Sequence, residues 1–171
     1  MLFSFRKSLL ILLCSFLLLG CGYRLFSASG KVRKIYIGVW KDYSSEPGFG
    51  ALIASELRKS LVESGKFVPV FNKKEAGYLV VGKVNYIYLT PVGYLSFSKV
   101  SEVKIEFCGD YQVIDRTTGK VLVSGEVKRS EVYEVPVGSP EERGLAKEEA
   151  LKKLAEDVVE LISQQILFNI Y

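Results

Sequence analysis

The sequence predicts an α/β (α+β) fold: a two-layer sandwich, with two helices on one face of a mostly antiparallel sheet of four to five strands. Three observations lead there. Hydrophobic periodicity runs strand, helix, short strand, a meander of three long strands, then a helix. The second meander strand alternates strictly, as a half-buried antiparallel strand does. Hydrophobic residues make up 49% of the 171, which is enough for a core and too many for a disordered chain.

Residues 34–40 (Lys-Ile-Tyr-Ile-Gly-Val-Trp) read as a buried strand. A turn over residues 44–48 opens a helix, in which Leu52, Ile53, Leu57 and Leu61 form an apolar stripe. Gly65 stops it. Residues 67–71 form a short strand, and Pro69 puts that strand at a sheet edge because proline has no N–H to donate. The meander strands span residues 78–90, 99–115 and 120–133. In the second, Val103, Ile105, Phe107, Tyr111 and Val113 alternate with Lys104, Glu106, Asp110 and Gln112. Thr117, Thr118 and Gly119 read as a three-residue hairpin loop with Gly119 left-handed, which sets Tyr111 opposite Gly125. Gly82, Gly109 and Gly125 fall on apolar rows, where they let a helix pack close or the sheet bend. In the first meander strand Leu79, Val81, Ile87 and Leu89 share the phase of Lys83. That strand is therefore apolar on both faces, and its second face calls for further burial or a partner.

The chain closes with a helix. Ser139 caps it, Pro140 takes its first position and Glu142 completes a capping box. Ala150, Leu151, Leu154, Ala155, Val158, Leu161, Ile162 and Ile166 make one apolar stripe, read as core. The end of the chain, residues 165–171, is unusually apolar and is expected to dock on its own sheet or on a partner.

The first twenty residues are an address. Arg6 and Lys7 precede an apolar run, residues 9–19, that is too short to cross a hydrocarbon core of about 30 Å. The run ends in Leu18-Leu19-Gly20-Cys21, which resembles the lipobox of bacterial lipoproteins. That resemblance implies cleavage before Cys21, with lipid on its thiol and an acylated amino terminus. Gly22, in place of an aspartate, points to passage to the outer membrane. Each buried methylene contributes about 0.8 kcal/mol, so two or three acyl chains moor the chain permanently. The expected organisation is a signal peptide (1–20), a lipidated tether (21–33) and one sandwich domain (34–171).

Charge and composition exclude several functions. The net charge is +4 and falls to +2 once Arg6 and Lys7 are cleaved away, too little for a nucleic-acid binder. With no histidine, catalytic and metal schemes that need an imidazole are ruled out. The carboxylate pairs Glu141-Glu142 and Glu148-Glu149 sit at a helix start and on a solvated helix face, which the helix dipole and solubility explain. Cys108 reads as a small strand residue and not as a nucleophile. No cofactor, no metal and no enzyme activity are expected, and the lipid on Cys21 is the one covalent addition.

Several segments together resemble the LPS-assembly lipoprotein family (LptE-type). They are Cys21-Gly22-Tyr23-Arg24-Leu25, Glu46-Pro47-Gly48, Ala76-Gly77-Tyr78-Leu79-Val80-Val81-Gly82-Lys83-Val84 with Tyr86, the hairpin over residues 115–122, and the alanine-spotted last helix. Gly77 stands where relatives often carry aspartate. The resemblance implies a plug on the periplasmic side of the outer membrane, seated in the β-barrel of the lipopolysaccharide translocon. Such a plug helps the barrel assemble and contacts lipopolysaccharide, with no bond-making step. The competing expectation is a generic outer-membrane lipoprotein, a pilotin or an activator of cell-wall synthesis. Lys99, Lys128 and Arg129 are expected to cluster with Tyr94 and Phe97 at one end of the meander, offering cations for phosphates and rings for acyl chains. Arg116 and Lys120, at the opposite hairpin, receive no role.

Overall fold

A computed structural model of the chain describes residues 33–96 and 99–170. The expected signal peptide, Cys21 with the expected tether, and Phe97 lie outside the described residues. The chain divides into two units, Met1–Lys31 and Val32–Tyr171, and the second is the sandwich. Its elements are β1 (Arg33–Ile37), β2 (Lys41–Asp42), α1 (Phe49–Glu63), β3 (Phe67–Pro69), a 3-10 turn (Lys73–Glu75), β4 (Tyr78–Ser96), β5 (Lys99–Asp115), β6 (Val121–Glu134) and α2 (Pro140–Ile170). The strand order is β3-β1-β4-β5-β6, with β2 beside β4. The meander is antiparallel, and β1, β2 and β3 pair in parallel, so the sheet is mixed. Both helices cover the same face, as expected, and β3 is an edge strand.

The core lies between sheet and helices. Ile35, Ile53, Leu57, Leu61, Val80, Val84, Ile105, Leu154, Val158, Ile162 and Ile166 are fully shielded from solvent. Each such side chain contributes about 1.5–3 kcal/mol relative to an exposed one. Helix α2 runs on through the apolar end of the chain. Ile166 and Ile170 join the core, and Arg33 donates to the Ile170 carbonyl. The capping box forms: Glu142 N–H donates to Ser139 Oγ at 3.3 Å, and Ser139 N–H donates to Glu142 Oε2 at 3.0 Å.

Four details differ from the sequence reading. First, β1 ends at Ile37, and Trp40 leaves the strand to enter the core. Its ring lies flat on Gly82, where a Cβ would stand 2.7 Å from Cε3 and nearer still to Cδ2 and Cε2. Gly82 thus makes room for an aromatic ring and not for a helix. Second, a bulge places Asn85 as an extra residue between the pairs Val84↔Gly109 and Tyr86↔Cys108. One added residue reverses the alternation, so Ile87 turns into the core where a regular strand would point it outward. Third, the β5–β6 turn holds four residues, 116–119, closed by Asp115 N–H donating to the Lys120 carbonyl at 2.9 Å. A bulge in β6 then restores the register, and Tyr111 does stand opposite Gly125. Gly119 is left-handed as expected, with φ 70°. Fourth, β4 continues through Pro91 to Ser96, so residues 91–96, which fall between the expected strands, are strand.

Candidate partner interface

Two surfaces remain after the core is built. One is the sheet face away from the helices. The other is the end of the β4–β5 hairpin.

On the open face, the bulge sets Asn85 beside Tyr86, opposite Cys108. Asn85 Nδ2 donates to Asp110 Oδ2 at 2.9 Å, and Lys83 Nζ lies 3.3 Å from the same oxygen. The Asn85 hydrogen bond, with Lys83 adding to it, holds the Asp110 carboxyl below the usual range for aspartate. Tyr86 and Tyr88 stack with ring centroids 4.6 Å apart. Beside them, Lys41, Val81, Lys83, Asp110, Gln112 and Ser124 line a shallow depression of about 710 Å³. The half-buried Leu79 and Val81 belong to this face.

At the start of α1, burial works against ionisation of Asp42, but hydrogen bonds from Ser44 and from Gly50 N–H outweigh it and hold this carboxyl low too. A carboxylate whose pKa is depressed by folding stabilises the fold above its unfolded pKa, about 3.9, and that contribution is lost as pH falls through the folded value. The thermal midpoint should therefore be level above about pH 5 and decline below about pH 4. Asp42→Asn should flatten part of that decline, which thermal unfolding across pH will show.

The hairpin end is built differently. None of the described residues between 90 and 102 is buried. Val92, Tyr94 and Leu95 are exposed there, and Val132, Val137 and Leu145 are exposed on neighbouring segments. Leu95, Ser101, Glu102, Glu134, Val135, Pro136, Val137 and Ala146 line a hollow of about 560 Å³. Val135 N–H donates to the Ser101 carbonyl at 2.8 Å and ties the chain after β6 to the hairpin.

The expected cation cluster does not form. Lys99 is at the hairpin tip, paired with Ser96. Lys128 pairs with Cys108 and Arg129 with Phe107, well down β5. At about 3.4 Å per residue, Lys128 sits roughly 30 Å from Lys99. The reason is the length of β4 and β5: both run past the point where β6 carries its cations. Lys128 already pairs with Glu126, a contact that raises its pKa. Arg129 donates to the Lys128 carbonyl at 2.9 Å. Tyr94 does belong to the hairpin end, 60% exposed. Sequence reasoning missed the acidic pair there: Glu102 and Glu134 are direct register partners. Their separation in sequence gives no hint of that meeting.

Arg116 has a structural part. Its N–H donates to the Gly77 carbonyl and its side chain to the Ala76 carbonyl. The Glu46-Pro47-Gly48 segment is structural as well. Gly48, at φ 95°, is the residue before α1, and Glu46 accepts an ion pair from Lys147 of α2 at 2.7 Å. Among the described residues no group of three or more candidate ligands could hold a metal, and no helix is long and apolar enough to cross a membrane.

No protein-family model matches the sequence, and no curated protein matches it. Solved structures do. The PelC dodecamer from Paraburkholderia phytofirmans superposes with a TM-score of 0.52 at 14% identity, covering 78% of this chain and 86% of that one. A minor lipoprotein from Acinetobacter baumannii gives 0.52 at 13% identity, covering 82% and 95%. The rare lipoprotein B from Shewanella oneidensis gives 0.53 at 12% identity, covering 75% and 93%. At these identities the likeness is one of fold. The chain shares a two-layer sandwich with a broad class of small bacterial proteins, many of them named lipoproteins.

Proposed function

We propose that this chain is a lipid-anchored, non-catalytic assembly protein of the bacterial outer membrane, binding an envelope partner through the hairpin end of its sheet. The observation that carries this reading is the hairpin itself. It extends past the core with apolar side chains exposed side by side, the arrangement that marks an interaction surface. The lipobox-like sequence before Cys21 supplies the anchor, and lipoproteins recur among proteins of the same fold. Pilotins and activators of cell-wall synthesis are of this general kind.

A second reading, a plug and assembly factor for the barrel of the lipopolysaccharide translocon, is favoured by the sequence resemblance at residues 46–48 and 76–86. In that case the half-apolar open face, with Leu79, Val81 and the stacked Tyr86 and Tyr88, lies against the barrel wall. Lipopolysaccharide then meets Lys128 and Arg129 separately from Lys99.

Mild-detergent purification from outer membranes, with identification of the stoichiometric companion, decides between them. A translocon barrel supports the second reading, a secretin or a peptidoglycan synthase the first. Isolation of the chain alone at every detergent concentration overturns both. With residues 1–20 exchanged for a leader whose cleavage does not need a cysteine, Cys21→Ser should move the protein from the membrane pellet to the soluble fraction, since the described fold offers no span to replace the acyl chains. Unchanged membrane retention in fractionation would refute the anchor.

A further inference from the structure

We propose that the hollow at the hairpin end is a docking site for a protein segment that presents a cationic side chain between apolar ones. The proposal deepens the reading of the chain as a partner-binding module and rests on it.

Glu102 and Glu134 oppose each other directly across β5 and β6, and both line the hollow. Like charges in that position are destabilising. Elsewhere on the sheet each nearby acid has a partner: Lys104 reaches Glu106 at 2.8 Å, Lys128 pairs with Glu126, and Lys153 of α2 pairs with Glu131. Among the described residues neither Glu102 nor Glu134 has an ion pair or a side-chain hydrogen bond. Lys104, the closest cation on β5, is turned to Glu106. Opposite Glu102 on β4 stands Gly93, which has no side chain to cover it. The acidic pair is thus left open to the outside.

Its surroundings are apolar. Leu95, Val135, Pro136, Val137 and Ala146 wall the hollow. Leu95 is 62% exposed and Val137 68%. A guanidinium or ammonium between the two carboxylates would relieve their repulsion, and flanking aliphatic groups would cover the walls. Phosphates are unsuited to this floor, because its charge has the wrong sign.

The test uses the full mature chain in detergent micelles and a labelled, end-blocked pentapeptide, Leu-Arg-Val-Arg-Leu, followed by fluorescence anisotropy. Its counterpart with glutamate for each arginine is the control. The basic peptide should bind at least about ten-fold more tightly than the acidic one, and Glu102→Gln with Glu134→Gln should remove that preference. The same double variant should raise the thermal midpoint, because it removes a like-charge pair. Lys83→Gln, on the open face, should leave binding unchanged. Absence of binding at millimolar peptide, equal binding of both peptides, or indifference to the double variant overturns the proposal. So does an anisotropy change that follows self-association of the chain and not the concentration of the peptide. These outcomes are separate from membrane fractionation and companion identification, which test the underlying reading.

Discussion

Trp40→Ala should destabilise the fold by about 3–5 kcal/mol, the largest loss expected from one side chain here. Trp40 is 2% exposed and among the largest fully buried side chains, packed between Gly82 of β4 and the start of α1. Its removal empties the volume where β1, β4 and α1 meet. The indole is also imperfect: Nε1 is buried with no protein hydrogen-bond partner among the described residues, a cost of about 1–3 kcal/mol. Trp40→Phe removes that orphan along with part of the ring, so it should cost clearly less than alanine. Gly82→Ala should lose about 1–3 kcal/mol by overpacking, because the new methyl group would enter the six-membered ring of Trp40. In the Trp40→Ala background the same change should be close to neutral, since the obstacle is gone and alanine suits a strand better than glycine. Urea unfolding of the four species measures the coupling. Additive losses would mean that Gly82 is needed for something other than the ring.

That pair shows how far the sequence could be read. Gly82 stood out as a glycine on an apolar row, and Trp40 as an apolar residue at the end of a strand. Nothing in their spacing says that β1 stops three residues earlier and releases Trp40 onto Gly82. The elements themselves were legible because each carries a local signal: the stripe of α2, the cap at Ser139, the left-handed Gly119. A three-residue loop and a four-residue turn followed by a bulge give the same pairing of Tyr111 with Gly125. The real turn is one residue longer, and the β6 bulge takes up the difference. The Asn85 bulge leaves no mark in composition, yet it turns Ile87 inward and leaves Tyr86 and Tyr88 stacked on the open face. At the hairpin end the position of Tyr94 is legible in the sequence and the acidic pair is not. Tyr94 announces itself near the hairpin tip. The meeting of Glu102 with Glu134 depends on register summed over two long strands and every bulge along them.

Replacing residues 92–102 by Asn-Gly, so that Pro91 and Val103 flank a two-residue turn, should abolish partner binding while the sandwich survives. Pro91 and Val103 are already register partners, and Asn-Gly is the turn that best matches the twist of a tight hairpin. The excised residues contribute no buried side chain among those described, and the last core side chains of the two strands, Leu89 and Val103, are kept. The main structural loss is the hydrogen bond from Val135 N–H to the Ser101 carbonyl, about 1 kcal/mol. Removing Glu102 also relieves its repulsion with Glu134, an opposing effect of about 0.2–1 kcal/mol. The two nearly cancel, so the unfolding midpoint should shift little. The stoichiometric companion should be missing from the same mild-detergent purification that retains it with the intact chain. If the shortened protein keeps its companion, binding belongs to the open face around Tyr86 and Asp110 and not to the hairpin end. If the shortened protein unfolds, the hairpin is a structural element whose exposed side chains support the core by a route that packing does not reveal.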